Sequence, residues 1–231
     1  MTNSDDIARN IASVQCKITE AMREAMRPEN SVSLCAVSKT VPAETIRAAI
    51  AAGQRVFGEN RVQEAEEKWH DLKTDCFETE LHLIGRLQTN KAQKAVALFD
   101  VIQTVDREKL ARALAREMKN ADRFLPCYVQ VNTGEEPQKA GVFPADIDKT
   151  VELFREEIGL NIVGLMCIPP HDDEPSPHFA LLQDMAERLK LPRLSMGMSA
   201  DYPIGVRFGA TVVRVGSAIF GARAKIAAKY D

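Results

Sequence analysis

"SLCAVSKTVPAETIRAAIAAG", residues 33–53, shows the strand–turn–helix unit from which the fold of this chain is predicted. Its first half is a short apolar run typical of a buried strand, a polar turn follows, and the second half places apolar residues at helical spacing. The same succession recurs along the chain, with predicted strands at residues 33–38, 55–58, 81–85, 101–105, 126–132, 161–169, 193–197 and 212–216. Helical patterns fill the intervals, for example at residues 107–121 and 178–191.

Eight strand–helix units within about 200 residues are the number that closes a (β/α)8 barrel. We therefore predict an α/β fold, a single (β/α)8 TIM barrel over residues 33–223. An open doubly wound sheet is the alternative, because evenly spaced units are compatible with it. Apolar residues at steps of three and four predict an extra N-terminal helix within residues 1–28. No linker divides residues 1–231, so we expect one domain without a C-terminal β domain.

The bulk composition narrows the classes of partner. Hydrophobic residues make up 45% of the 231 residues, which is enough for one substantial core. The 30 Lys and Arg residues, against 33 Asp and Glu, form no basic block, so nucleic acid is not expected as a partner. Neither a signal peptide nor a membrane-length apolar run is found, so we expect a cytoplasmic protein. The spacing of the cysteines and histidines predicts neither disulfides nor a metal site.

Polar residues follow several of the predicted strands, at the end where barrels of this type bind ligands. Strand one ends in Lys39, and strand two runs into Asn60. Ser199 follows strand seven, and Gly216 and Ser217 follow strand eight. Loops after strands seven and eight often bind phosphate through backbone N–H groups. These last three residues are candidate phosphate ligands, although ordinary turn and cap residues would give the same pattern.

Lys39 is the candidate nucleophile. Alternation places Cys35, Val37 and Lys39 on one face of the first strand. An amine that faces the inside of a barrel mouth is desolvated, which favours its neutral, nucleophilic form. A lysine that extends into solvent is the simpler alternative. If the amine is nucleophilic, the ligand that carries both an aldehyde and a phosphate is pyridoxal 5′-phosphate (PLP).

Two ionisable residues lie within predicted strands. Arg214 stands between Val213 and Val215 in a strand that should be covered on both faces. A buried guanidinium needs an acceptor, from the protein or from a ligand, and the sequence leaves both open. His82 lies in the third strand, where a core histidine with hydrogen-bond partners is the commoner interpretation. We retain it as a candidate that borders the ligand.

Two further polar stretches are interpreted as structural. Residues 60–73 predict a helix with a solvated charged face, on which Trp69 packs against the barrel. The proline-rich residues 169–179 predict a surface loop in which His171 and His178 are exposed.

Seven segments resemble the signatures of the pyridoxal phosphate homeostasis protein family. They are "AVSKT", "FGENRVQEAEEK", "HLIGRLQTNK", "VNTGEEPQKAG", "GLMCIPP", "LSMGMSAD" and "VRVGSAIFGAR". The resemblance spans residues 33–223 and implies a barrel of the alanine racemase N-terminal type, fold type III among PLP proteins. It implies that Lys39 holds PLP as an aldimine, that the phosphate candidates bind its phosphate and that Arg214 faces its pyridine nitrogen. The expected cofactor-binding residues are Lys39, Asn60, His82, Ser199, Arg214, Gly216 and Ser217.

The resemblance implies a function in intracellular PLP homeostasis. The protein would hold PLP and supply it to apoenzymes, as a monomer and without an established reaction. A PLP-dependent amino-acid racemase is the alternative, and a Schiff-base aldolase is a third hypothesis. An arginine opposite the ring nitrogen opposes its protonation and weakens carbanion chemistry. None of Tyr128, Tyr202 and Tyr230 matches the second base of a racemase, so any racemase-like activity would be weak.

Two positions depart from the family's usual pattern. Many members carry a second lysine two residues after the aldimine lysine, whereas this chain has Val41. Transfer of PLP through a second amine is therefore less supported, although Lys139 remains. After strand seven the family usually continues into a helix, whereas here Pro203 and Gly205 disfavour a long helix start, and Pro203 is compatible with a first turn only.

Overall fold

Eight parallel strands form the centre of the molecule, in a computed structural model that describes residues 4–221. The strands are β1 (Ser33–Val37), β2 (Val56–Glu59), β3 (Glu80–Leu83), β4 (Val101–Val105), β5 (Cys127–Val131), β6 (Ile162–Cys167), β7 (Arg193–Met198) and β8 (Val212–Val215). Each strand pairs with the next, and β8 pairs with β1. The predicted (β/α)8 barrel is confirmed, and the open sheet is wrong. Tyr230 and the last two residues of the predicted barrel segment, 222–223, lie outside the described residues.

Helices alternate with the strands. They are α1 (Ser4–Glu24), α2 (Ala43–Ala51), α3 (Val62–Asp75), α4 (Ala92–Leu98), α5 (Glu108–Asn120), α6 (Ile147–Glu152), α7 (Pro175–Arg188), α8 (Tyr202–Arg207) and α9 (Ser217–Phe220). A π-helical turn, Leu153–Glu157, continues α6. As predicted, α8 is short and has Pro203 in its first turn. No helix described within residues 4–221 combines the length and apolar character that a membrane crossing requires.

The N-terminal helix α1 packs against α2, α8 and α9. Its buried face consists of residues at helical spacing, Ile7, Val14, Ile18, Ala21 and Met22. Asn10 donates a hydrogen bond to the Ile219 carbonyl over 2.9 Å, and Arg27, just beyond the helix, donates to the carbonyls of Val206 and Ala210 over 2.7 and 2.8 Å. The predicted extra helix is confirmed, and it supports the segments that flank β8.

Alternation along the strands separates an apolar outer face from a partly polar interior. Buried outer-face residues include Ala36, Phe57, Leu81, Leu83 and Ile102. The ring of Phe57 lies 5.1 Å from that of Trp69 on α3, so the predicted packing role of Trp69 is confirmed. The buried polar residues carried by the strands include His82, Gln103, Ser195 and Arg214.

The proline-rich segment after β6 differs from its prediction as a surface loop. Helix α7 begins at Pro175, and Glu174 caps it by accepting the Ser176 N–H. Prolines fit the first turn of a helix, where a backbone N–H has no helical partner to lose. His178 is only 14% exposed and donates from Nδ1 to the Thr133 carbonyl over 3.1 Å. The predicted exposure of His178 is therefore wrong, whereas that of His171 is confirmed.

Candidate functional site

Lys39 lies just after β1, where the chain turns sharply away from the barrel. Thr40 has a φ of 61°, a left-handed conformation that a β-branched residue adopts only under constraint. The Val41 N–H donates to the Ser38 carbonyl over 3.0 Å and closes the turn. Lys39 itself is half-buried. The turn therefore fixes the backbone of the candidate nucleophile at the barrel mouth.

A network on α3 and β2 holds this turn from both sides, and we call its members Glu59, Glu64 and Lys68 the Lys68 brace. Lys68 Nζ lies 2.8 Å from Glu59 Oε1 and 2.9 Å from Glu64 Oε1. It also donates to the Ser38 carbonyl over 2.8 Å. Glu64 Oε1 accepts the Thr40 N–H over 2.5 Å. The residues before and after the candidate nucleophile are thus tied to the same ammonium–carboxylate cluster.

Burial makes the Lys68 brace different from a surface ion pair. Glu59 is fully buried, and its Oε1 also accepts the Ser38 hydroxyl over 2.7 Å and the Trp69 indole N–H over 3.1 Å. Burial alone would raise the pKa of Glu64, but hydrogen bonds from Lys68 and Thr40 lower it overall. The predicted solvated face of this helix is therefore wrong at Glu64 and Lys68, which turn toward β1.

Ser199 and Gly216 lie together at the ends of β7 and β8. The Gly216 N–H donates to Ser199 Oγ over 3.3 Å. A Cβ at position 216 would lie 3.3 Å from both the Cβ and the carbonyl oxygen of Val37, so glycine permits the close approach of the β8 end to β1. Ser217 is exposed. Three candidate phosphate ligands therefore stand beside the strand that ends in Lys39.

Asn60 occupies the neighbouring position at the end of β2 and is half-buried. Its main chain lies against Gly85, which follows β3. A Cβ at position 85 would lie 2.2 Å from the Asn60 carbonyl oxygen, much closer than any real contact. Gly85 is thus required for the two strand ends to approach each other at the mouth.

Arg214 lies inside the barrel with 3% of its surface exposed. Its Nη1 donates to Ser195 Oγ over 2.6 Å, and its Nη2 donates to the Cys167 carbonyl over 2.7 Å. Both acceptors are neutral, so neither contact balances the charge. Burial lowers the pKa of Arg214. A buried guanidinium held only by neutral oxygens in these contacts is the kind of group that a ligand acceptor completes.

His82 is buried deeper in the barrel and has partners on both ring nitrogens. Its Nε2 lies 2.6 Å from Glu80 Oε1, and its Nδ1 lies 2.6 Å from Gln103 Nε2. Gln103 Oε1 in turn accepts from Ser195 Oγ over 2.6 Å, and Ser195 accepts from Arg214. The structure connects His82 to Arg214 through other side chains, whereas Lys39 and the phosphate candidates lie at the ends of β1, β7 and β8.

The sequence analysis does not name Gln103 and Ser195, although both share with Arg214 the feature that indicates a functional residue, a polar side chain within an apolar strand pattern. Each is a polar residue in the middle of an apolar strand pattern, "VIQTV" and "RLSMG". The Lys68 brace carried no comparable signal.

Two buried thiols lie next to Arg214. Cys35 pairs with it across the β1–β8 register, and Cys167 contributes the carbonyl that it contacts. Burial raises the pKa of each thiol to about 12, so both are neutral at physiological pH. Across residues 4–221, no three His, Cys, Asp or Glu side chains are grouped so as to hold a metal ion.

Comparison with known proteins places this barrel in a family. The family model for the N-terminal domain of alanine racemase matches residues 5–224. The pyridoxal phosphate homeostasis protein of Pasteurella multocida is 38% identical over 227 residues, which cover 94% of this chain and 97% of that protein. The corresponding protein of Pseudomonas aeruginosa is 40% identical over 222 residues, which cover 94% and 96%.

Solved structures agree with this placement. PipY of Synechococcus elongatus PCC7942, determined with PLP bound, is 40% identical, has a TM-score of 0.80 and aligns over 93% of this chain and all of that chain. Alanine racemase from Bartonella henselae, at 14% identity and a TM-score of 0.73, shares the fold over 96% of this chain and 60% of its own. The chain therefore belongs to the pyridoxal phosphate homeostasis protein family, whose barrel is that of the alanine racemase N-terminal domain.

Proposed function

We propose that this protein binds PLP at the carboxyl end of its barrel and acts in PLP homeostasis. The names of its relatives and the PLP-bound structure of PipY support this function. The main support is Arg214, a buried guanidinium whose two hydrogen bonds within the described residues go to neutral oxygens. An aromatic ring nitrogen is an acceptor that this group could complete, and β8 ends beside the strand that leads to Lys39.

The residues at the mouth fit the two ends of PLP. Lys39, on a turn fixed by the Lys68 brace, would hold the aldehyde covalently as an aldimine. The Gly216 N–H and the hydroxyls of Ser199 and Ser217 would donate to the phosphate, and Asn60 would border the cofactor. PLP itself supplies a reactive aldehyde and an electron-withdrawing ring. Arg214 would favour the unprotonated ring nitrogen and so restrain carbanion chemistry.

We propose further that the protein stores PLP and supplies it to apoenzymes, without a reaction of its own. The burial of the tyrosines favours storage over racemisation, which needs a second acid/base that reaches the substrate. Tyr128 is fully buried and Tyr202 is 4% exposed. Tyr230 lies outside the described residues. Burial also raises the pKa of both described phenols. We expect a cytoplasmic monomer, and the free, exposed Cys16 fits a reducing compartment.

An absorption spectrum tests the binding site. Wild-type protein mixed with PLP should develop a protonated Schiff-base band, and Lys39→Ala should not. Lys91→Ala is the matched control, since Lys91 is another half-buried lysine, in the turn after β3, and it should keep the band. No band in the wild type would refute PLP binding as an aldimine. A band that persists in Lys39→Ala would refute Lys39 as the attachment point.

Two further assays separate storage from catalysis. Exchange of the α-proton of amino acids in D₂O, followed by NMR, should not exceed that of free PLP, and exchange at catalytic rates would favour the racemase. Supply to apoenzymes is tested by mixing the PLP-loaded protein with an apoenzyme and a scavenger of free PLP. Reactivation faster than spontaneous PLP release would support direct transfer, whereas complete block by the scavenger would refute it.

A further inference from the structure

Five hydrogen-bonded side chains cross the barrel interior, and we call them the interior chain. They are Arg214, Ser195, Gln103, His82 and Glu80. We propose that this chain has one fixed direction of hydrogen-bond donation and that Gln103 and His82 are positioning residues for Arg214. The geometry of the chain stands without PLP, and its consequence for the cofactor rests on the proposed function.

The upper end of the interior chain is a group that can only donate. Arg214 has five N–H groups and no acceptor. Ser195 Oγ therefore accepts from Arg214 Nη1 over 2.6 Å, and its own proton is directed to Gln103 Oε1, also over 2.6 Å. Since this oxygen is occupied, the amide nitrogen of Gln103 must face His82. The orientation of the Gln103 amide is thus set by Arg214.

The lower end is a group that can only accept. The hydrogen bond with His82 lowers the pKa of Glu80, more than burial raises it, so this carboxylate is ionised at neutral pH. His82 Nε2 must then carry a proton and donate to Glu80 over 2.6 Å. Its Nδ1 accepts from the Gln103 amide over 2.6 Å and carries no proton. Both ends therefore impose the same direction of donation, in which His82 donates from Nε2 and accepts at Nδ1.

The surrounding groups support this state. Cys35 on β1 and Tyr128 on β5 stay neutral, because burial raises the pKa of both. Arg193 on β7 and Lys73 on α3 each favour the ionised form of Glu80. The carboxylate is 46% exposed at the start of β3, so the interior chain runs from solvent at the barrel bottom to Arg214.

The consequence is that Arg214 cannot turn without breaking its buried hydrogen bonds to Ser195 and to the Cys167 carbonyl. A second proton on His82 would face the Gln103 N–H, and a flipped Gln103 amide would deprive the Ser195 proton of its acceptor. The links beyond Ser195 therefore hold its proton toward Gln103 and leave its oxygen directed at the guanidinium. Disrupting the middle of the chain should loosen Arg214 and weaken any ligand that it contacts.

NMR of the protein without PLP tests the direction of the chain. In protein labelled with ¹⁵N-histidine, the long-range proton–nitrogen spectrum has four histidines to resolve, and His82→Gln assigns the signal. At neutral pH, His82 should show a protonated Nε2 and an unprotonated Nδ1. Gln103→Glu places a carboxyl group between Ser195 and His82 and should draw a second proton onto His82. A wild-type His82 protonated on Nδ1 would overturn the proposal.

PLP affinity tests the positioning role. Gln103→Leu should weaken PLP binding by about tenfold or more, the equivalent of one hydrogen bond to a charged group. The matched control is Gln54→Leu, since Gln54 is also buried and its amide donates to the Leu34 and Val56 carbonyls, away from the interior chain. Gln54→Leu should bind PLP as the wild type does. Equal affinity of Gln103→Leu and wild type would refute the positioning role.

The two arms separate the proposals. If wild-type protein does not bind PLP, the proposed function fails and the NMR result alone decides the interior chain. If PLP binds but His82 has the opposite tautomer, the function stands and the interior chain is refuted.

Discussion

Replacing Lys68 by methionine should destabilise the fold far more than an exposed ion pair would suggest. The Lys68 side chain is 13% exposed, and its ammonium lies within 2.9 Å of two carboxylates, one of which, Glu59, is fully buried. Methionine fills the space of the aliphatic stem but leaves the Glu59 charge uncompensated. Removing one partner of a buried pair costs about 3–5 kcal/mol. That is a large share of a total stability of about 5–15 kcal/mol.

Urea unfolding followed by far-UV circular dichroism measures this difference. The matched control is Lys94→Met, because Lys94 also lies 2.9 Å from a glutamate, Glu66, but is 52% exposed. Exposed pairs contribute about 0–1 kcal/mol, so the control should lose little stability. Glu59→Gln combined with Lys68→Met should recover part of the loss, since both charges are then gone. Equal losses in the two single Lys→Met variants would refute the buried brace.

Two other substitutions test the mouth and the interior. Gly85→Ala should lower PLP affinity, because the new Cβ would lie 2.2 Å from the Asn60 carbonyl oxygen and must displace the end of β2. Gly159→Ala is the control: its φ of 78° strains an alanine there as well, but no atom lies within 4 Å of the new Cβ and the residue precedes β6, away from the mouth. This variant should bind PLP with unchanged affinity in the same titration, and equal affinities of the two variants would contradict the prediction. Glu80→Gln should lower the stability of the fold at neutral pH and leave it unchanged in acid. The hydrogen bond with His82 lowers the pKa of Glu80 in the folded protein. The ionised carboxylate therefore stabilises the fold at pH values above its unfolded-state pKa, and this stabilisation is lost as the pH falls through its folded-state pKa. Thermal unfolding across pH measures this, and an equal loss in acid would count against it.

The fold and the mouth of the barrel were accessible to sequence reasoning because their signals are local. Each of two apolar runs contains a single charged residue. Lys39 ends the first run, and Arg214 lies within the last. In a sheet covered on both faces, such a charged residue must lie either in the barrel interior or at the end of a strand. Gln103 and Ser195 interrupt the apolar patterns of β4 and β7 in the same way, so the sequence also predicts that they lie inside the barrel.

The remaining features depend on tertiary contacts that no local pattern contains. Lys68 reaches the Ser38 carbonyl across 30 residues of sequence, and only the rotation of α3 against β1 decides whether it faces the turn or solvent. The prolines before His178 are typical of loops and so predict that its side chain is exposed. The same prolines also suit a helix start, and the contact with Thr133 decides between the two.

Borohydride reduction of the protein mixed with PLP, followed by proteolysis and peptide mass mapping, identifies the lysine that holds the cofactor. Reduction converts a Schiff base into a stable secondary amine and so records which lysine held the cofactor. We predict the pyridoxyl mass on the peptide that contains Lys39, and no label on that peptide if PLP is omitted. A label on other lysines such as Lys139, or no label at all, would contradict the assignment of Lys39 as the residue that holds PLP.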